Sequence, residues 1–576
     1  MSGDVLPASR RAFGPRTETP VRPAPVPSRA GAATVLETWR REAPALVADH
    51  DRAYRTLLAG VSPLIAARRY GDAAAALQVA ANHAVFWHPG RFVCPEMESL
   101  IARLGAAALP HAGTRAADSG SVLHVATEFY AVGGHSRMAT HWINQDADHR
   151  HSLVLTRQHE PMPAGLAAAV EASGGSLTHL NQTAGSLLDW ARRLQPLLAA
   201  AELVVLHVHS MDVVPFLALA GMKRRPPVIL LNHADHLFWI GADLVDLVLS
   251  TRVSGDRLTG KRRGIPDHRR AVIPLCLEMP DLSLSRAEAR RQLGIAEADV
   301  VILSVARGLK FKRVGEEEFP DPLVPLLQAN PTARLLVLGP GGEVDWSRAQ
   351  AAVPGRITAV PRNPNTAPYF AAADIYLDSF PFVSITSMLE AGLRGLPLVT
   401  RHPFGPDCAV MGADSPGIEP EILRADTADG VVAILQNLID DPDLRRRCGA
   451  RTAAAIAETH VGEGWRSQLA PVYARARAAH AKGPHPSVED DAATSDLDAF
   501  VPYAYGDLVH GATASGRLLR ASEFVLKSAP LGWRLRTLGE LRRAGLLGGL
   551  EGGVWRNLIP EWVGTNLRRG LRKVAR

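Results

Sequence analysis

Cysteine is scarce: four in 576 residues, at Cys94, Cys276, Cys408 and Cys448, all far apart. They form neither a metal-ligand spacing nor a disulfide framework, which points to a reducing compartment. No apolar run is long enough to span a bilayer, and the amino terminus has no charged-then-apolar leader pattern, so the expectation is a cytoplasmic protein. The dinucleotide fingerprint G-x-G-x-x-G is missing. A basic body is missing too. The net charge is +6, but from Gly511 onward there are thirteen Lys/Arg against four Asp/Glu, leaving the rest at about −3. That excludes a nucleic-acid groove across the main domains.

The chain is too long for one core and reads as several units. Residues 1–30 are rich in Pro, Arg, Ser and Ala without periodicity and read as disordered. Residues 31–118 read as an α-helical region. Within it, 67–84 resembles one tetratricopeptide hairpin with Tyr70, Gly71 and Asp72 as the turn; a plain helical cap is the alternative. Residues 119–275 and 276–480 each alternate short apolar strands with helical patterns, the sign of two α/β domains with parallel sheets. Strands are expected at 152–155, 203–208, 227–231, 246–250 and 271–274, then at 300–305, 333–338, 356–360 and 375–377. A single crossing helix is expected over 462–479. Residues 481–576 read as a linker and a basic amphipathic tail. There Leu531, Leu535, Leu538 and Leu541 share one face, Leu567, Leu571 and Val574 another, with arginines around them and Trp555 and Trp562 nearby. Such helices suit a membrane surface.

The most informative stretch is 374–400, DIYLDSFPFVSITSMLEAGLRGLPLVT: strand, loop, helix, strand. Hydroxyls at Ser384, Thr386 and Ser387 open the helix. Its free N–H groups and dipole suit a phosphate. Glu390, in the first turns, could accept hydrogen bonds from ribose hydroxyls. After the strand beginning near Ser121, the pair Gly133-Gly134 permits a tight turn and close backbone approach to a ligand. Two other strands end in histidine-rich loops, at His207 and His209 and at His233, Asp235 and His236. In a doubly wound sheet such loops lie on the ligand edge. His233 and His236 lack a third and fourth metal ligand at the usual spacings, so no metal is assigned.

The 374–400 segment resembles the donor site of GT-B glycosyltransferases. The O-GlcNAc-transferase-like branch matches at Leu377, Asp378, Phe380, Pro381, Thr386, Gly395, Pro397, Val399 and Thr400. The larger retaining branch carries two glutamates; Glu390 matches the second, whereas Phe382 stands at the first. The resemblance spans roughly 120–480 and implies two Rossmann-like domains facing across a cleft. The acceptor would sit on the first and the nucleotide-sugar donor on the second. It further implies that Gly133, Gly134 and Arg137 face the donor phosphates. Arg307 and Lys312, with Lys310 as the alternative lysine, would neutralise the leaving diphosphate. Pro361 and Arg362 would run beside the base. Ser384, Thr386 and Ser387 would donate to the diphosphate, and Glu390 would hold the ribose. His233 would face the transferred sugar, with Asp235 or His236 as the alternative functional partner; in an inverting reaction His233 or Asp235 would be the base.

The implied activity is a metal-independent glycosyltransferase, without a bound cofactor, whose co-substrate is a nucleotide-diphosphate sugar. The acceptor would be a cell-surface polysaccharide, a lipid-linked glycan or a protein, and the tail would hold the enzyme on the inner face of the membrane. Three alternatives stand beside it: an O-GlcNAc-transferase-like protein glycosyltransferase, a nucleotide-sugar epimerase, and a catalytically degenerate GT-B scaffold, which Phe382 favours. Base, sugar and stereochemistry are not derivable from these residues.

Overall fold

Seven parallel strands build the first sheet: β1 (Asp118–Ala126), β2 (Arg150–Leu155), β3 (Leu177–His179), β4 (Ala201–His207), β5 (Val228–Asn232), β6 (Leu247–Ser250) and β7 (Arg270–Val272), in the order β3-β2-β1-β4-β5-β6-β7. Six more build the second: β8 (Val300–Val305), β9 (Ala333–Gly339), β10 (Ile357–Pro361), β11 (Ile375–Leu377), β12 (Leu398–Arg401) and β13 (Ile422–Ala425), ordered β10-β9-β8-β11-β12-β13. The structure is a computed structural model that describes residues 31–111, 118–130, 134–412, 414–485, 487–488, 495–504 and 513–574. The disorder expected for 1–30, and Gly133, lie outside the described residues.

The central strands carry near-continuous apolar runs because helices cover both faces; all five residues of β5 are buried. Each sheet reverses its strand order once, between β1 and β4 and between β8 and β11. At such a reversal neighbouring crossovers go to opposite faces, leaving a crevice beyond the carboxyl ends of the strands. The crossing segment forms two helices, Gly462–Arg466 and Leu469–Ala481, where one was expected. The second packs its Leu469, Val472, Tyr473 and Ala476 into the first domain's core.

In the amino-terminal region the proposed turn is displaced. Tyr70, Gly71 and Asp72 open the helix Tyr70–Phe86, and the turn falls just before them, where Arg68 has φ 56°. This alanine-rich helix is buried for most of its length and is the centre of a helical layer, against Gly31–Ala59, Pro95–Ala108 and the tail helix Ala514–Leu526. Gly71 is required by packing: a β-carbon there would stand 2.8 Å from Pro530 Cγ.

The tail is folded onto the body. The leucine face expected on Leu531–Arg543 is split, with Leu538 and Leu541 buried and Leu531 and Leu535 exposed. The helices Gly31–Ala59 and Asp496–Ala504 pack together, Trp39 stacking on Tyr503 at 5.0 Å. Both press on Phe380, Phe382 and Phe404 of the second domain. Among the described residues no helix is long and apolar enough to cross a membrane.

Candidate active site

The site forms where the loops of the two crevices meet. On the second domain, β11 runs into Asp378. Its Oδ1 accepts the N–H groups of Ser379 (2.8 Å) and Ser384 (2.9 Å), which ties the loop back and aims the helix Ile385–Leu393 at the cleft. Burial pushes the Asp378 carboxyl up to about 6, against the pull of those N–H groups and of Lys310. Ser384 and Ser387 hydroxyls lie 3.2 Å apart at the helix start, beside Thr386.

After β8, a short 3₁₀ turn covers Gly308–Lys310, with Arg307 preceding it. Arg307 itself is extended, with ψ 150°, and its charge reaches Lys310. Lys310 Nζ donates to the Val383 carbonyl at 2.7 Å and sits 5.5 Å from the Phe382 ring centre. Burial lowers its pKa to about 8, and Arg307 adds to the fall. Arg307 is exposed; Lys312 lies beyond the turn, half-buried. Lys310, the alternative lysine, thus contacts the loop between β11 and the helix Ile385–Leu393.

On the first domain, Gly134 opens the helix Gly134–Gln145. His135, which the sequence reading passed over, stacks on His233 with ring centres 4.0 Å apart. His233 Nδ1 is 3.3 Å from the Leu231 carbonyl, which only accepts, so Nδ1 carries the proton and Nε2 a lone pair. Burial lowers the His233 pKa, leaving a neutral ring at pH 7. Asp235 has a different place from the one expected of a base. It is buried and gripped by Arg252 through Nε (2.9 Å) and Nη2 (2.7 Å). Burial works to raise its pKa, but Arg252 overrides it and holds the carboxyl well below the usual range. An acid so committed is a poor proton acceptor. His236 packs its ring 4.8 Å from Phe382, so the phenylalanine that breaks the retaining motif is an interdomain contact.

The domains touch through these same elements. Arg137 pairs with Glu390 across the cleft. Gly134 backs directly onto Thr386. Arg252 Nη2 also donates to the Val410 carbonyl at 2.6 Å. Pro361 and Arg362 lie at the end of β10, two strands from β8 on the same sheet edge, Arg362 pairing with Glu343 at 3.2 Å.

Behind the site runs a row of buried histidines. His207 Nε2 is 2.8 Å from His124 Nδ1, His124 Nε2 is 2.9 Å from His151 Nδ1, and His151 Nε2 is 3.0 Å from the Asp146 carbonyl. Burial drives the His207 pKa down to about 3 and His124 well below its ordinary value. Among the described residues no three His, Cys, Asp or Glu side chains are grouped to hold a metal ion.

Two doubly wound parallel-sheet domains whose switch-point loops face each other constitute the GT-B architecture. No family model matches the sequence, and no curated protein matches it. Solved structures do resemble the fold. A glycosyltransferase from Rickettsia africae is 9% identical, covering 62% of this chain and 99% of its own, with a TM-score of 0.49. A mutant O-GlcNAc transferase from Thermobaculum terrenum is 15% identical, covering 79% of this chain and 89% of its own, with a TM-score of 0.43. A UDP-GlcNAc 2-epimerase from Neisseria meningitidis is 16% identical, covering 63% and 100%, with a TM-score of 0.41. At these identities and scores the likeness says nothing of the chemistry, which resides in the side chains.

Proposed function

We propose that this chain is a glycosyltransferase that moves a sugar from a nucleotide-diphosphate sugar to an acceptor hydroxyl. The observation that carries the proposal is the Arg307–Lys310 turn lying beside the start of the Ile385–Leu393 helix, with Gly134 of the other domain opposite. Two cations and a helix N-terminus around one point suit a diphosphate, and fixed positive charge stabilises it as it departs with the bonding electrons. Lys310 takes the role first given to Lys312. With charge supplied by side chains, the reaction needs no divalent ion. Thr386 and Ser387 donate to the diphosphate, and Glu390, released from Arg137, takes the ribose hydroxyls. Pro361 and Arg362 flank the base.

His233 faces the reacting sugar. Its Nε2 lone pair would take the acceptor's proton if the configuration inverts; in a retaining reaction the departing phosphate takes it instead. The acceptor domain and the basic tail favour a lipid-linked or cell-surface glycan, made by an enzyme resting on the inner membrane face. An O-GlcNAc-like protein acceptor is less favoured, because the alanine-rich helix is enclosed within one helical layer and offers no repeat groove. The degenerate-scaffold alternative rests on Phe382.

The test is a thermal-shift series with nucleotide diphosphates and their sugars, with and without metal, on the wild type and Glu390→Ala. A ligand of the native state raises the melting temperature by mass action. Stabilisation by one nucleotide, indifferent to metal and lost in Glu390→Ala, supports the donor site and identifies its base. No shift with any of them rejects the transferase in favour of the scaffold.

A further inference from the structure

A second cavity lies outside the donor site, between the loop that follows β2 and the final helix, Glu561–Val574. It measures about 260 Å³ and is lined by Gln158, His159, Glu160, His179, Arg568 and Arg569, among others. The helix that walls it is firmly seated. Glu561 is buried and pairs with Arg157 at 2.8 Å, Asn181 Nδ2 donates to Glu561 at 3.1 Å, and Asn566 Nδ2 donates to the Gln182 carbonyl at 2.8 Å. The cavity is therefore part of the fold.

Its charge is uneven. Arg157, in the same helix-to-domain contact, is neutralised by Glu561. Among the described residues Arg568 donates to the Thr565 hydroxyl, at 3.4 Å, and Arg569 to the Gln182 side-chain oxygen, at 2.7 Å. Among the described residues neither arginine is matched by a carboxylate, and Glu160 is the one acid in the lining. Burial lowers the pKa of both His159 and His179, so at neutral pH they are uncharged hydrogen-bonding groups. Two guanidinium forks with neutral donors beside them match the oxygens of a phosphate ester. The volume is small for a whole oligosaccharide and suits a phosphate with its first substituent.

The surroundings indicate where that phosphate comes from. On the helix that carries Arg568 and Arg569, Leu567 and Leu571 are 61% and 71% exposed, and Trp555 on the preceding helix is 83% exposed. Of the thirteen exposed large apolar side chains among the described residues, eight belong to 513–574. Exposed leucines flanking unmatched arginines fit the boundary between acyl chains and phosphate head groups. The cavity also adjoins the cleft. Glu128 Oε1 accepts the N–H groups of His159 (2.9 Å) and Glu160 (3.1 Å), and its Oε2 accepts the Tyr130 hydroxyl (3.1 Å). Tyr130 in turn stacks on His209, at 6.3 Å.

We infer that this cavity binds the phosphate of a membrane lipid, with Leu567 and Leu571 entering the bilayer surface, and so holds a lipid-linked acceptor at the mouth of the cleft. The inference rests on the transferase reading for the word acceptor, and on the cavity alone for the phosphate.

The experiment is vesicle flotation of the full chain, using phosphatidylcholine vesicles with and without phosphatidic acid. Preference for the phosphatidic acid vesicles is expected. Arg568→Gln with Arg569→Gln should weaken it about tenfold or more, the loss of one or two charge-assisted contacts. Thr565→Phe, which fills the cavity and keeps both charges, should do the same. Arg542→Gln with Arg543→Gln, an equal loss of charge on another helix, should cost distinctly less. Equal flotation on both vesicle types, or equal losses in the two arginine pairs, overturns the cavity as the site. Binding of glycerol phosphate in solution without any flotation overturns the lipid as its source. The nucleotide thermal shift is read in parallel. If it stands while flotation fails, only the lipid assignment falls; if flotation stands without it, only the transferase reading falls.

Discussion

A β-carbon added to Gly134 would lie 2.1 Å from Thr386 Oγ1. The glycine that opens a helix in one domain thus leaves free the space that Thr386, at the start of a helix in the other, fills from across the cleft. Gly134→Ala is expected to cost about 1–3 kcal/mol by overpacking, or to part the domains. Adding Thr386→Gly should recover most of it. Thermal unfolding and the radius of gyration by small-angle scattering measure both effects; no difference between Gly134→Ala and the pair would mean that the two residues do not meet.

Lys310 is expected to be the charge that stabilises the leaving diphosphate. Lys310→Met should lower kcat by about 100–1,000-fold, as for loss of one preorganised donor. Because its pKa is lowered to about 8, the lysine is charged below that pH and loses its charge above it. Wild-type activity should therefore fall on the alkaline side of about pH 8, and Lys310→Arg should remove that limb. If Lys312→Met produces the larger loss, the role belongs to Lys312.

His233→Gln should reduce kcat by about 100–10,000-fold with little change in KM if the enzyme inverts. Burial depresses the pKa of His233, so the wild type should keep a neutral base below pH 6.5 and lose activity only as pH falls further. NMR of the product anomer decides the case. A retained configuration with full activity in His233→Gln would remove the histidine from proton transfer.

The buried histidines make stability sensitive to acid. Burial lowers His83, His207 and His209 to about 3, and His50 and His402 to about 4. Between those values and the unfolded pKa near 6.5, the unfolded chain binds more protons, so stability rises with pH there and falls on acidification. Each such histidine contributes a slope of about 1.4 kcal/mol per pH unit inside that window. Urea unfolding from pH 7 to pH 4 should show a slope of several protons; a flat profile would mean that these rings are solvated.

Glu390 and Arg137 are the remaining pair to test. Their ion pair is partly exposed, so a double-mutant cycle with Arg137→Ala and Glu390→Ala should give a coupling of only about 0.2–1 kcal/mol. Loss of nucleotide binding in Glu390→Ala should be larger than this coupling, because the carboxylate is expected to exchange Arg137 for the ribose.

Much of the architecture was legible because buried parallel strands advertise themselves: 300–305 and 375–377 fall where their apolar runs begin and end. β3 and β13 escaped notice, being edge strands of three and four residues with mixed burial, too short for a period to show. The helix Ile385–Leu393 was readable from its hydroxyl cluster and stop signals. What could not be read was which side chain of a loop turns inward. The 3₁₀ turn that favours Lys310, the Arg252 clamp on Asp235 and the stacking of His135 on His233 all depend on contacts between segments far apart in the chain. The adjacency of His135 to Gly134 was the only local signal for it.

The row of histidines behind the cleft has a direction. The Asp146 carbonyl can only accept, so His151 must present Nε2–H to it, which obliges His124 to point Nε2–H at His151 and His207 to point Nε2–H at His124. The one nitrogen left with a bare lone pair is His207 Nδ1, which has no partner among the described residues. An incoming proton can settle there without disturbing its neighbours, whereas charging either inner ring would require every ring back to His207 to exchange its tautomer. A first proton therefore finds its place in this row at one end, the end beside His135 and His233.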